Sequence, residues 1–179
     1  MKTNMNRKGI SNVVATIILI AVAIALAVAV AVWVFGLAGS ASKAATLQIQ
    51  AVGLNNTAAL SSSTPANPAY LSLLVSNPSS AAIGINGFTL GSLSCVFSQP
   101  ISVPAGTQGE LLVIALTGSN GNFTGVSISN SYIGNTPLSS LISGATCSGK
   151  QAAQVGVQYS GYITTVNGQT YPFTVTASS

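Results

Sequence analysis

The chain has almost no charge. Its 179 residues include five Lys or Arg, one Glu, and no Asp or His, so that 3% of residues are charged, against about 25% in typical soluble domains. General acid–base catalysis usually depends on His or on a pair of carboxylates. Neither a Ser-His-Asp triad nor the two carboxylates of a glycosidase can be assembled within this chain. The composition therefore predicts a protein that is not an enzyme.

Binding of metals, cofactors and nucleic acids is also not expected. Two Cys without His or Asp cannot complete a typical zinc site, and no G-x-x-x-x-G-K-S/T phosphate loop occurs. Three of the five positive charges precede Gly9, so no basic patch is available to neutralise phosphates. Lys43 and Lys150 leave a Ser–Lys dyad formally available, but their surroundings indicate solvated surface lysines. Glu110 is expected at the start of a strand, facing solvent.

Hydroxyl groups take the place of charge. The sequence contains 25 Ser and 16 Thr. Because neutral surfaces tend to associate, either the surface is meant to associate or glycans solvate it. Acceptor sequons occur at Asn55-Asn56-Thr57 and at Asn122-Phe123-Thr124, which makes Asn55 and Asn122 candidates for N-glycosylation if the domain is exported.

The two cysteines, Cys95 and Cys147, both lie in the region that follows the apolar segment. In an extracytoplasmic domain we expect them to form a disulfide. It would close a loop of about 53 residues and contribute about 4 kcal/mol in the loop-entropy description. The alternative is a pair of buried thiols that act as small hydrophobic groups.

The N-terminal region combines a basic leader with a long apolar run. Lys2, Arg7 and Lys8 precede an uncharged stretch that extends from Gly9 to Ser42. Within it the apolar run exceeds the roughly 18 residues needed for a membrane-spanning helix. A basic leader favours the cytoplasmic side, so the remainder would face outward. The leader is shorter and more polar than an ordinary secretory signal, and the junction at 7–11 looks like a cut site placed before the apolar run.

Small and large residues alternate without interruption through Ala21–Val32. A period of two is typical of a strand, but both classes here are apolar, and in lipid only a helix satisfies its own backbone. If this segment is a helix, its alanines form ridges on two roughly opposite sides. The ridges are Ala21, Ala25 and Ala29 on one side, and Ala23, Ala27 and Ala31 on the other. Such repeats let helices approach closely and favour several helical neighbours. The alternative is that Ala and Val are simply common in apolar segments.

The segment from Arg7 to Ile20, RKGISNVVATIILI, resembles the N-terminus of archaeal type IV pilins, and Val32–Gly36 resembles the end of their helix. The resemblance covers roughly residues 5–43. It implies cleavage between Gly9 and Ile10, directly after Lys8, by a membrane-embedded prepilin peptidase. It also implies export by the pilus assembly machinery and packing of the helices as the core of a homopolymeric filament. Bacterial relatives usually carry Glu five positions after the cut, whereas this chain has Val14, which favours the archaeal type.

The filament-core positions implied by the resemblance are Val14, Ile18, Ala21, Ala25, Ala29, Val32 and Trp33. The predicted organisation is a leader over 1–9, a filament-core or transmembrane helix over 10–42, and an extracellular β domain over 43–179. Gly36 and Gly39 are expected to stop or hinge the helix.

The outer region predicts short strands separated by turn residues, and hence an α+β protein in which a long hydrophobic helix precedes an antiparallel, Ig-like sandwich. The Asn167-Gly168 pair predicts a hairpin, and Leu60–Pro68 an exposed loop. Strands are expected at 44–52, 69–76, 82–90, 95–98, 110–116, 125–129, 153–166 and 169–176. No amphipathic helix is expected after residue 43. Two interpretations apply to the five tyrosines of this region. Either they contribute to adhesion or subunit contacts, or they lie at the edge of the core and on strand surfaces. They are Tyr70, Tyr132, Tyr159, Tyr162 and Tyr171.

We therefore expect a structural subunit of an archaeal adhesive pilus, located at the cell surface in the filament and in the cytoplasmic membrane before assembly. Two alternatives remain open at this stage. One keeps the architecture and makes the chain an archaellin, the subunit of a swimming filament. The other makes it a monomeric, membrane-anchored extracellular binding module.

Overall fold

A computed structural model describes residues 7–42, 46–127 and 129–179. Side chains are described for 11–38, 46–127, 129–140 and 142–179. The chain divides into two compact units between residues 44 and 45. The first contains one long helix and the second contains all the strands. The predicted α+β class, a long apolar helix followed by an antiparallel β-sandwich, is confirmed.

The helix, α1, extends over Arg7–Ser42. Its C-terminal end is the predicted one, but the expectation that Gly36 and Gly39 stop the helix is wrong, because the backbone stays helical through both. A glycine costs about 1 kcal/mol relative to alanine inside a helix without breaking it. Neighbouring Ala38 and Ala41 are strong helix formers, so the helix tolerates both glycines. Residues 1–6 of the predicted leader lie outside the described residues.

The β domain contains twelve strands and two short helical turns within its described residues. The strands are β1 (Gln48–Asn55), β2 (Ala69–Asn77), β3 (Ile83–Leu90), β4 (Leu93–Val103), β5 (Thr107–Ser119), β6 (Asn122–Val126), β7 (Tyr132–Ile133), β8 (Thr136–Pro137), β9 (Thr146–Ser148), β10 (Gln151–Ala152), β11 (Gln158–Thr165) and β12 (Thr170–Thr176). A 3₁₀ turn occupies Thr57–Ser61, and a one-turn helix, α2, occupies Ser139–Ile142.

The strands form two antiparallel sheets. The larger sheet has the order β1-β2-β5-β6-β10, with β7 pairing with β5 and β8 pairing with β7. The smaller sheet has the order β12-β11-β3-β4-β9. The arrangement β1-β2-β5 facing β12-β11-β3-β4 is that of an Ig-like sandwich, in which the chain passes repeatedly from one sheet to the other.

Alternating side chains from both sheets form one core between them. In β2, for example, Ala69, Leu71 and Leu73 point inward and are fully buried. The rings of Phe123 in the larger sheet and Tyr159 in the smaller sheet meet edge to face at 6.0 Å. Because the rings belong to different sheets, this contact joins the two layers, in the geometry that aromatic pairs prefer.

The predicted loop at Leu60–Pro68 and the predicted end of β4 both differ from the structure. Leu60 is fully buried, so only the remainder of the predicted Leu60–Pro68 loop is surface chain. Strand β4 continues to Val103, well past the predicted end at Ser98. Its register with β3 shifts between Ile85 and Gly87, which leaves Pro100 in a bulge, where a residue without an N–H is tolerated.

The hairpins show the same mixture of success and failure. The predicted hairpin at Asn167-Gly168 is confirmed, as β11 pairs with β12, but four residues separate the strands instead of two. The two-residue Asn-Gly turn lies elsewhere, at Asn120 (φ 51°) and Gly121 (φ 71°), between β5 and β6. Positive φ at both positions is typical of a type I′ hairpin turn. This turn starts β6 at Asn122, three residues before the predicted strand.

The predicted disulfide between Cys95 and Cys147 is confirmed. The two residues are direct cross-strand partners in β4 and β9. Cys95 is 1% exposed and belongs to the core. The bond therefore attaches the three-residue edge strand β9, which has few ladder hydrogen bonds of its own, to the body of the smaller sheet.

Asn77 joins two loops at the end of the sandwich. Its side chain is fully buried, and its Nδ2 lies 2.9–3.0 Å from the carbonyl oxygens of Ala81, Val103 and Pro104. Its Oδ1 accepts hydrogen bonds from the backbone N–H and the hydroxyl of Ser79. One amide thus satisfies backbone groups of the β2–β3 and β4–β5 connections.

We expect Asn77→Ala to lower the free energy of unfolding by about 2–4 kcal/mol, because it leaves buried carbonyl groups without donors. Urea unfolding followed by far-UV circular dichroism in a mild detergent would measure the loss. The matched control is Asn167→Ala, at an exposed turn position, which should cost less than about 0.5 kcal/mol. Equal effects of the two substitutions would contradict the assigned role of Asn77.

Candidate assembly surface

The central part of α1 has the composition of a membrane-spanning segment. The span Ser11–Ala38 has 28 residues, and an 18-residue stretch within it has a mean hydropathy of 3.2. All side chains of the span are exposed. At 1.5 Å per residue it is about 42 Å long, whereas the hydrocarbon core of a bilayer is about 30 Å thick. The helix is therefore long enough to cross a membrane.

This span is apolar on every side. Sixteen large apolar side chains between Val13 and Leu37 are each at least 48% exposed, with Phe35 at 76%. The hydroxyl of Thr16 donates to the carbonyl of Val13 at 2.8 Å, so it presents no unsatisfied donor. Full burial of a large apolar side chain is worth about 1.5–3 kcal/mol. Transfer of this surface out of water thus amounts to tens of kcal/mol.

The helical geometry places the alanines as the sequence predicts. Residues four apart advance by about 40° around the axis, so Ala21, Ala25 and Ala29 follow one another along one side. Ala23 is turned by about 200° from Ala21, and it starts the second ridge on the far side. Ala15, Ile18, Leu19 and Val22 line an apolar depression of about 420 Å³. Alanine ridges are surfaces on which a second helix can approach closely.

The predicted site residues fall into three groups in the structure. The helix positions Val14, Ile18, Val32 and Trp33 are all exposed, at 49%, 57%, 67% and 69%, and the alanines at 21, 25 and 29 are exposed as well. The backbone of Lys8, Gly9 and Ile10 belongs to the first turns of α1, and their side chains lie outside the described residues. The sequon residues lie in the β domain, Asn55 at the end of β1 and Asn122 at the start of β6.

The potentially reactive groups of the β domain are dispersed. Both cysteines form the disulfide. Glu110 is half-buried inside β5, three residues after the strand begins, so the expectation that it starts the strand is wrong. Lys150 is exposed. Within the described residues no group of three His, Cys, Asp or Glu side chains could hold a metal ion.

Sequence reasoning missed a set of uncharged polar contacts that hold loops in place. The hydroxyl of Ser131 accepts from the N–H of Ala115 at 2.9 Å and donates to the carbonyl of Ser127 at 3.0 Å. The hydroxyl of Tyr159 donates to the carbonyl of Ala152 at 2.7 Å. No local sequence signal identifies these residues, because their partners depend on the tertiary fold.

No family model matches this chain, and no curated protein is significantly similar to it. Its function is therefore inferred from its residues and their geometry. Two features define the candidate assembly surface: a helix that water solvates poorly on every side, and two alanine ridges along it.

The near-absence of charge predicts a stability that depends little on pH. The slope of stability against pH is proportional to the difference in bound protons between the unfolded and folded states. From residue 46 onward, Glu110 is the only acidic side chain and no His occurs. We expect the melting temperature of the β domain to change by less than about 5 °C between pH 3 and pH 9.

Scanning calorimetry of the whole chain in a non-ionic detergent would test this expectation. Glu110→Gln is the matched variant, because it removes the one acidic side chain of the β domain, and its melting temperature should depend on pH as little as that of the natural chain. Cooperative acid unfolding above pH 3 in both proteins would contradict the prediction.

Proposed function

We propose that this protein is a structural subunit of an adhesive surface filament of the archaeal type IV pilus class. The observation that carries the proposal is the span Ser11–Ala38, which is uncharged, apolar on every side and unburied in the isolated chain. Such a helix needs lipid or other helices around it. In the proposed cycle it first lies in the cytoplasmic membrane and then packs among copies of itself.

Two features support assembly over simple anchoring. A lone anchor needs only a lipid-compatible surface, whereas alanine ridges on two sides suit a helix with several close neighbours. In addition, the span exceeds the hydrocarbon thickness by about 12 Å, on the lengths given by helix rise and bilayer dimensions. A helix that serves as the core of a filament is not limited to the bilayer thickness.

The β domain suits the role of an outer sheath. It has its own core between two sheets and its own disulfide, so its stability does not require burial of the helix. Its surface is nearly free of charge, and neutral surfaces associate readily. In the proposed filament the helices form the core and the β domains form the exterior.

The resemblance at Arg7–Ile20 supplies the processing step of this proposal. A membrane-embedded prepilin peptidase would cut between Gly9 and Ile10, and the assembly machinery would then extract the helix from lipid. Once extracted, the apolar side chains can be buried only by neighbouring helices. Polymerisation is thus the step that offsets the loss of lipid contacts.

We expect Ala25→Leu to abolish or strongly reduce filament formation while leaving the chain in the membrane. A larger side chain on the ridge prevents close helix approach, but it is at least as compatible with lipid as alanine. The matched control is Val28→Leu, at a position that is already large, and it should assemble normally. Shearing, ultracentrifugation and electron microscopy would measure assembly. Normal filaments of Ala25→Leu would contradict the proposal.

N-terminal sequencing and intact mass of sheared surface material test the identity of the subunit directly. An N-terminus at Ile10 in pelletable filaments is the expected result. An intact Met1 found only in the membrane fraction would overturn the proposal in favour of an anchored binding module. An N-terminus beyond residue 42 would mean that the helix is a removed signal sequence. A deletion strain that stays attached but no longer swims would instead indicate an archaellin.

A further inference from the structure

A groove of about 450 Å³ crosses the outer face of the larger sheet. In its floor, Ser72 and Val113 are paired in register, and Tyr132 on β7 pairs with Val113. Asn55 at the end of β1 is paired with Tyr70 on β2. The neighbours of these residues along β2 and β5, such as Leu71 and Leu112, point into the core, so the groove lies on the outside of the sandwich.

The lining carries no charge and combines two tyrosines and neutral polar groups with the aliphatic side chains of Leu111 and Val113. Tyr132 is 37% exposed, and Val113 beneath it is only 4% exposed. Within the described part of the chain, the hydroxyls of Tyr70, Tyr132 and Ser72 have no hydrogen-bond partner. Asn130, with left-handed backbone (φ 69°), contributes an amide to the lining. Aromatic faces combined with a few convergent neutral polar groups suit a sugar ring, which has apolar C–H faces and a rim of hydroxyls.

The groove also contains an acceptor for a covalently linked sugar. Asn55 belongs to the Asn55-Asn56-Thr57 sequon. Its Oδ1 lies 2.7 Å from the hydroxyl of Ser178, whose proton it shares with the carbonyl of Leu54 at 3.0 Å. Its Nδ2 lies 4.0 Å from the place that a Cβ on Gly53 would occupy. Because Gly53 has no side chain, the space beside the acceptor nitrogen stays open toward the groove.

Thr57 gives an independent indication that the sequon is used. Its side chain is 1% exposed, and among the described residues its Oγ1 is the one buried side-chain polar atom without a hydrogen-bond partner. An unpaired buried hydroxyl costs stability, and valine has the same shape without that cost. A hydroxyl that contributes no hydrogen bond to the fold is explained if the glycosylating enzyme requires it. Since the folded domain buries it, transfer must precede folding.

We propose that Asn55 carries an N-linked glycan and that its first sugar units lie in the groove between Tyr70 and Tyr132. The glycan covers the exposed rings and pairs with the free hydroxyls and amides. This inference requires export of the β domain but not filament assembly, so the two proposals fail separately.

The first test is glycopeptide mapping and intact mass of the full chain purified from its own cells. Asn55→Gln and Thr57→Val should each remove the same glycan mass. Thr57→Val leaves the groove untouched and replaces an unpaired hydroxyl, so its fold should be intact. Asn122→Gln is the matched control, because it removes the other sequon and should leave the glycan mass at Asn55 unchanged. Unmodified Asn55 would overturn the proposal, including the case in which the groove binds only free saccharide.

The second test measures whether the glycan contacts the tyrosine rings of the groove. Tyr132→Ala should lower the melting temperature of the glycosylated chain by about 3 °C or more beyond its effect in the Thr57→Val background. Tyr162→Ala is the control, because Tyr162 is 42% exposed on the smaller sheet, and its effect should be the same in both backgrounds. An equal effect of Tyr132→Ala in both backgrounds would contradict the proposal that the glycan lies in the groove.

Discussion

The solvation of one helix is the constraint on which the rest of this protein depends. Ser11–Ala38 has no charge and no polar side, and none of it is buried in the isolated chain. Water solvates such a surface at a cost of roughly 25 cal/mol per Å². Only lipid or neighbouring helices remove that cost. A subunit that moves from lipid to a helical core keeps the helix in apolar surroundings throughout, whereas a protein that released the helix into water would aggregate.

The β domain meets the opposite requirement, since it must fold and stay soluble with almost no charge. Buried polar groups must be hydrogen-bonded, and here amides and hydroxyls do this work. Asn77, Ser131 and Tyr159 each satisfy backbone groups at the ends of strands or in the connections beside them. Neutral partners avoid the large desolvation cost of buried ions. The amide of Asn77 and the aliphatic hydroxyl of Ser131 are not acid or base groups, so the contacts that they make do not depend on protonation.

The sequence predicted most of the fold because its strands alternate apolar and polar residues, and it failed where tertiary context decides. The predicted bounds of β2, β3 and β12 lie within one residue of the observed ones, whereas β11 begins five residues after its predicted start. The prediction misses β7, β8, β9 and β10, because strands of two or three residues have no periodicity. Asn120-Gly121 forms the two-residue hairpin turn, with left-handed backbone at both residues, although as a dipeptide it does not differ from Asn167-Gly168. It was overlooked because β6, which follows it, has only five residues. Leu60 was assigned to a loop because its neighbours are polar, and only packing shows that it belongs to the core.

The candidate sites divide in the same way. The apolar helix could be predicted because all of its determinants are local: length, apolarity and the spacing of the alanines. The groove could not, because it needs the register of four strands to bring Asn55, Tyr70 and Tyr132 to one face. A sequon alone says little in a chain rich in Asn and Thr. This sequon is more informative, because its threonine is buried without a hydrogen bond and its asparagine lies beside two tyrosines in the groove. That combination is visible only in three dimensions. The glycan proposed at Asn55 would also explain how a surface with almost no charge stays soluble.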